Sequence, residues 1–92
     1  MRESATFHLP APSGERWSAR AGQELVGRAV RYGKLGAVGT VDGATPVDSG
    51  RALRVHVELR RHLTNPDRRK FALAKEGAAK AFAKASEKVD EP

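Results

Sequence analysis

The sequence predicts a mainly β fold of the α+β class, in which a small antiparallel, barrel-like sheet of five strands is followed by a C-terminal α-helix. Between Leu53 and Arg60, apolar and polar side chains alternate strictly, which is typical of a strand with one buried face. After Asn65 the composition becomes rich in Ala and Lys, which favours a helix. A chain of 92 residues forms one small domain with a modest core.

Two predicted strands come first. Ala5–Leu9 precedes a loop with two prolines, which remove backbone donors, and Glu15–Ala19 returns from that loop. Trp17 is the only Trp, and we expect it to be a core anchor with its indole N–H satisfied. The alternative for Trp17 is an exposed platform on which a base stacks.

Three central strands follow, at Glu24–Tyr32, Ala37–Val47 and Leu53–Arg60. Gly27, inside the first of them, indicates a bulge or a close backbone approach. Pro46 cannot donate to a β-ladder, so the second strand is expected to lie at an edge or to bend near its end. The turn composition of residues 47–51 predicts a hairpin into the last strand.

A helix is predicted over residues 65–89. Asn65, Pro66 and Asp67 have the composition of a helix start, with Asn at the N-cap, Pro at the first helical position and an acidic residue in the first turn. The helix would have a narrow apolar stripe that contacts a partner or the sheet. The stripe consists of Phe71, Ala74, Ala78, Phe82, Ala85 and Val89. Residues 5–61 would form the barrel, and residues 1–4 and 90–92 are expected to be disordered.

The chain is basic, with a net charge of +6 and a pI near 10.3. Such a charge attracts nucleic acid, an anionic membrane surface or an acidic protein, although a basic, GC-rich proteome would explain it equally. Contacts to phosphate or to an acidic partner are predicted on the last strand, after Asn65 and along the helix; a solubilising polar face is the alternative. The candidates are Arg54, Arg60, Arg61, Arg68, Arg69, Lys70, Lys80, Lys84 and Lys88.

No pattern of residues indicates catalysis. The absence of Cys excludes disulfides, thiolate ligands and thiol nucleophiles. His56 and Glu58 share a strand face, but a metal site needs a third ligand and the neighbouring arginines would repel a cation. Residues 33–36 (GKLG) match the G-x-x-G loop of an RNA-binding module, but predicted strands flank them where that module has helices. We therefore expect no enzymatic activity, no metal and no cofactor.

Three short motifs lie between residues 24 and 60. They are a strand opening Leu25-Val26-Gly27, a Gly-rich return Val38-Gly39-Thr40-Val41, and a polar turn Asp48-Ser49-Gly50 before Leu53–Leu59. The segment resembles small β-barrel proteins of tailed phages and prophages of GC-rich, actinobacterial-type hosts, over under half of the chain. In such proteins the barrel commonly docks on the head, connector or tail, and a terminal arm or helix reaches a neighbouring subunit. The resemblance assigns no functional residue.

The first hypothesis is therefore a non-enzymatic structural or interaction protein. It would be a small phage-type virion or assembly component that docks by its barrel and contacts neighbours by its terminal arm and helix. The alternative is a basic nucleic-acid-binding or regulatory protein, or an inhibitor of an acidic host protein, that uses the helix lysines and strand arginines.

The expected partners are protein subunits or nucleic acid rather than a membrane. No stretch is apolar enough to span a bilayer and the N-terminus lacks a secretory apolar region. These features predict a protein that is cytoplasmic in the producing cell or incorporated in a virion.

Overall fold

The computed structural model describes residues 3–11 and 13–73, and the backbone of residues 86–88. In chain order the elements are β1 (Glu3–Pro10), β2 (Glu15–Trp17), the helix α1 (Ala21–Leu25), β3 (Ala29–Tyr32), β4 (Ala37–Val47), β5 (Ala52–Leu59), β6 (Phe71–Leu73) and β7 (Ser86–Lys88). Single 3₁₀ turns lie at Gly33–Leu35, Asp48–Gly50 and Arg68–Lys70. Five strands form one antiparallel sheet in the order β1-β5-β4-β3-β6, while β2 and β7 pair with each other. The prediction of a mainly β fold with a five-stranded antiparallel sheet is confirmed.

Strand β5 has the alternation that the sequence predicts. Leu53, Val55 and Val57 are fully buried, and the side chains between them point to the outer face of the sheet. Strand β5 pairs with β1 on one side and with β4 on the other. The predicted hairpin is also confirmed, because the 3₁₀ turn at residues 48–50 joins β4 directly to β5.

The sheet curls until the side chains of its two edge strands meet. Phe7 of β1 stacks on Phe71 of β6 with ring centroids 5.5 Å apart and planes inclined by 22°. Phe71 also meets Tyr32 of β3 edge-on, at 4.9 Å. Aromatic pairs of this kind contribute roughly 0.5–1.5 kcal/mol each beyond the burial of their area. The sheet is therefore a half-barrel whose edges touch through aromatic rings.

Trp17 is a core anchor, as predicted. Its side chain is 4% exposed, and the indole Nε1–H donates to the carbonyl oxygen of Leu9 at 3.1 Å. The core of the half-barrel is lined by residues from every strand of the main sheet, together with Trp17 and α1. Its buried members are Phe7, Trp17, Ala21, Leu25, Val30, Val38, Val41, Leu53, Val55, Val57, Leu59 and Phe71.

The predicted strand Glu24–Tyr32 is only half correct. Its first part belongs to α1, where Ala21 and Leu25 lie one helical turn apart and are both fully buried. Gly27 has a φ of +87°, which ends the helix and directs the chain into β3. The glycine therefore marks a boundary between two elements rather than a bulge within one.

The strand boundaries and the identity of the fifth strand also differ from the prediction. Of the predicted strand Glu15–Ala19, only the first three residues form a strand, β2, and this strand lies outside the main sheet. The fifth strand of that sheet is β6, because Phe71 supplies the aromatic contacts at its edge. Strand β1 begins at Glu3, within the segment expected to be disordered, since Glu3 pairs with Leu59.

The predicted helix over residues 65–89 is not supported where the structure describes it. Asn65 has a φ of +45°, and the N-cap is Asp67, which starts one 3₁₀ turn before β6. Phe71 therefore lies in the core and not on a helix stripe, because burial against two aromatic rings outweighs the local helix propensity. Residues 86–88 form β7. Outside the described residues lie Ala74, Ala78, Lys80, Phe82, Lys84, Ala85 and Val89.

Candidate anion-binding surface

The antiparallel register brings the ends of several strands together. Leu59, at the end of β5, pairs with Gly39 near the start of β4. Tyr32, at the end of β3, pairs with Phe71 at the start of β6. Because a tight turn joins β3 to β4, these termini lie at one end of the sheet. Strands β5 and β6 are three strand spacings apart, or roughly 14 Å along the sheet.

Six exposed cationic side chains lie in the turns beyond the strand ends here, and we call this part of the molecule the basic end. Two follow β5, one lies in the turn between β3 and β4, and three form the 3₁₀ turn before β6. The six are Lys34, Arg60, Arg61, Arg68, Arg69 and Lys70. Three described carboxylates lie near them, Glu3, Asp67 and, one residue inside β5, Glu58. Positive charge is therefore in excess at this end of the sheet.

Asp67 is engaged by its own turn. One carboxylate oxygen, Oδ1, accepts from the backbone N–H of Arg69 at 2.9 Å and from the Arg69 Nε–H at 3.3 Å. The backbone N–H of Arg69, and then its guanidinium, hold the pKa of Asp67 below its ordinary value of 3.8. Asp67 is therefore ionised at neutral pH and offsets the charge of Arg69, which is the cation least available to an external anion.

Glu3 has a histidine as its local partner. Its Oε1 lies 2.7 Å from Nδ1 of His62, and Nε2 of that ring lies 3.3 Å from Oγ1 of Thr64. Within the described part of the chain, Arg60, Arg61 and Arg68 form no ion pair. These guanidinium groups remain available to an external anion.

A groove of about 490 Å³ opens at the basic end, lined by Tyr32, Gly33, Lys34, Leu35 and Lys70. The Nζ of Lys70 lies 5.9 Å from the centroid of the Tyr32 ring, within the range of a cation–π contact. The Tyr32 hydroxyl accepts from the backbone N–H of Asp67 at 2.8 Å. Leu35 is 49% exposed, so the groove combines an apolar surface with two ammonium groups.

Two glycines shape the turn that presents Lys34 and Leu35. Gly33 and Gly36 have φ values of +47° and +75°, which favour glycine. The Tyr32 N–H donates to the carbonyl oxygen of Gly36 at 2.9 Å and closes the turn. The motif GKLG therefore forms the turn that joins β3 to β4, in agreement with the prediction that strands flank it.

The remaining predicted contacts are not part of this surface. Arg54 is exposed on the outer face of β5, where its register partners are His8 and Thr45. Arg60 lies six positions further along the chain, which corresponds to roughly 20 Å of extended strand. Nδ1 of His56, also on that face, lies 3.2 Å from an Asp42 carboxylate oxygen. Outside the described atoms lie Lys80, Lys84 and the side chain of Lys88.

Sequence reasoning missed the groove, although it noted one of its parts. Tyr32, Lys34 and Leu35 are not among the predicted contacts, because the GKLG motif resembles only a helix-flanked loop and predicted strands flank it here. A Lys between two glycines and between two strands is itself a signal, since it indicates a tight turn with a basic tip. The partner of that tip, Lys70, becomes a neighbour only through the pairing of β3 with β6.

Metal-ligand clusters and membrane-spanning helices are both absent from the described residues. No group of three or more His, Cys, Asp or Glu side chains is placed to hold a metal ion there. Nor is any described helix long and apolar enough to cross a membrane.

Comparisons with known proteins give no assignment. No model of a protein family matches the chain, and neither the curated proteins nor the solved structures contain a match.

Proposed function

We propose that this chain is a non-enzymatic binding protein whose basic end engages the phosphates of nucleic acid. The observation that supports the proposal is the clustering of six cationic side chains at one end of the sheet, where Asp67 and Glu3 already have local partners. Exposed guanidinium and ammonium groups bind phosphate oxygens through charge-assisted hydrogen bonds.

The arrangement favours a polyanion over a single small anion. The cations follow strands that are roughly 14 Å apart along the curled sheet, from β5 to β6. A phosphate backbone presents a row of charges over such a length, whereas one inorganic phosphate would contact only one or two of the side chains. Arginines that grip phosphates position a nucleic acid without selecting its sequence, so we expect little sequence preference.

Two variants with the same net charge test whether position matters. The first replaces Lys34, Arg60, Arg61 and Arg68 by Gln, all at the basic end. The second replaces Arg16, Arg20, Arg51 and Arg54 by Gln, which are exposed elsewhere on the chain. Binding to labelled duplex and single-stranded DNA is measured by fluorescence anisotropy. The first variant should lose at least tenfold in affinity, and the second should stay within about threefold of the wild type.

Two results would contradict the proposal. Equal losses in both variants would mean that only net charge attracts the DNA. No binding of the wild-type protein to DNA, combined with tight binding to an acidic peptide such as poly-glutamate, would make the basic end a protein-docking surface.

A second proposal is an assembly role of the phage type, and the edge strand β1 favours it. Among the described residues, the eight of β1 pair on one side only, with β5. The Phe7 ring meets Phe71 across this edge, but a strand edge whose backbone groups are not in a ladder can still accept a strand from a neighbouring subunit. The mass of the purified protein in solution tests self-assembly: a discrete oligomer supports it, and a monomer at all concentrations contradicts it.

A further inference from the structure

We infer that the groove beside Tyr32 binds one unstacked nucleotide, with its base against Leu35 and its phosphates at Lys34 and Lys70. The inference rests on the proposed function and adds to it a preference for single-stranded over duplex nucleic acid.

The chemistry of the groove matches a base that is linked to a phosphate. Its volume of about 490 Å³ is within the range of small-molecule sites. Leu35 leaves about half of its surface in water, and an apolar surface of this kind gains from contact with the flat face of a base. The two lysines place positive charge beside the same opening, which disfavours an uncharged aromatic ligand relative to a nucleotide.

The walls of the groove are held in place before any ligand arrives. The Tyr32 ring is fixed by its hydroxyl contact with Asp67 and by the Phe71 ring at its edge. Gly33 and its turn fix the backbone that presents Leu35. A preformed wall reduces the ordering that binding would otherwise require.

Strand preference follows from what a base can reach. In a duplex the bases are paired and stacked, so only their edges are accessible in the grooves. A single strand can turn one base out of the stack and place its face on a protein surface. The basic end would thus bind either form through phosphates, and the groove would add affinity for the single strand alone.

The test compares Leu35→Ala with Val26→Ala. Val26 is the matched control, because it is 52% exposed, against 49% for Leu35, and directly follows α1 rather than lining the groove. Anisotropy is measured with a dT oligonucleotide, a duplex of the same length and an oligonucleotide of abasic residues, which keeps the phosphates and lacks the bases. Unfolding of each variant is followed by Trp17 fluorescence.

Leu35→Ala should lose roughly five- to tenfold in affinity for the dT strand, because less apolar surface is buried against the base, and nothing for the duplex or the abasic strand. Val26→Ala should match the wild type on all three. If the wild type binds the abasic strand as tightly as the dT strand, or if Leu35→Ala has no effect, this inference is overturned while the proposed function stands. If the wild type binds none of the three, the proposed function itself fails.

Discussion

Replacement of Phe71 by Ala should strongly destabilise the protein. Phe71 is 5% exposed and contacts two other rings, Phe7 and Tyr32. The substitution removes the contact between the two edges of the half-barrel and leaves a cavity. Buried Phe to Ala changes cost about 3–5 kcal/mol. The free energy of unfolding of a small domain is only about 5–15 kcal/mol in total, so this loss is a large fraction of it.

The size of the effect distinguishes the observed fold from the predicted helix. On an exposed helix stripe, Phe71→Ala would cost little or even stabilise, because Ala is the better helix former. In the half-barrel, a loss of about 4 kcal/mol corresponds to a drop in the urea midpoint of roughly 1–4 M, for a denaturant slope of about 1–3 kcal/mol per M. The two arrangements therefore differ by several kcal/mol at one position.

Urea unfolding followed by the fluorescence of Trp17, the only Trp, measures this difference. Ala72→Ser is the control, since Ala72 is the exposed neighbour on the same strand and should change stability by less than about 0.5 kcal/mol. Phe71→Leu keeps a folded variant in the series and should cost about 1–2 kcal/mol, through loss of the ring contacts. A change below about 1 kcal/mol for Phe71→Ala would refute the position of β6 in the core.

Two further predictions concern the centre of the sheet and the turn before β6. Gly39→Ala should destabilise the protein by about 1–3 kcal/mol, because the added Cβ would overlap the backbone carbonyl of Glu58. Gly43→Ala, on the same strand, has open space for the added Cβ and should be neutral or stabilise the protein by up to about 1 kcal/mol. Urea unfolding checks both, and equal effects would contradict the close approach of β4 to β5. Asp67 should titrate below 3.8 in a carboxyl NMR titration and stay low in Arg69→Ala, because the backbone N–H of residue 69 is the largest cause of the lowered pKa. Since this folded-state pKa is lowered, the Asp67 contribution to stability is fully present above the ordinary pKa and disappears as the pH falls through the folded-state value. A titration at or above 3.8 in the wild type, or a full return to 3.8 in Arg69→Ala, would contradict that cause.

Periodicity predicted the parts of the fold in which burial alone decides the structure. The strict alternation after Leu53 identified β5, and the turn residues before it identified the hairpin with β4. Pro46 lies in the second half of β4, which pairs with β5 but not with β3, so its missing donor leaves no gap in a ladder. In each of these cases the residues themselves determine the local structure, without information on a distant contact.

The C-terminal part was beyond such reasoning because tertiary contacts decide it. The sequence after Asn65 has good helix formers and a plausible cap, and one helical turn does form there. The turn ends at Phe71 because the Phe71 ring is buried by packing against Phe7 of β1 and Tyr32 of β3. A single-sequence pattern contains no information on that partner.

The candidate site was predicted in its residue types but not in its arrangement. Arg60, Arg61 and residues 68–70 were identified as anion contacts, yet their proximity follows only from the strand register. The same register separates Arg54 from them and adds Lys34. Charge can be counted from a sequence, whereas its clustering depends on which strand ends meet.

The most direct test of the proposed function is the salt dependence of DNA binding by the wild type and the two charge variants. If about five cations neutralise phosphates, the logarithm of duplex affinity should fall against the logarithm of salt concentration with a slope of roughly −4 to −5. The variant that lacks Lys34, Arg60, Arg61 and Arg68 should have a slope of roughly −1. The matched variant, in which four arginines outside the basic end are replaced by Gln, should keep the wild-type slope. A wild-type slope near zero, or equal slopes in both variants, would show that the basic end does not bind nucleic acid.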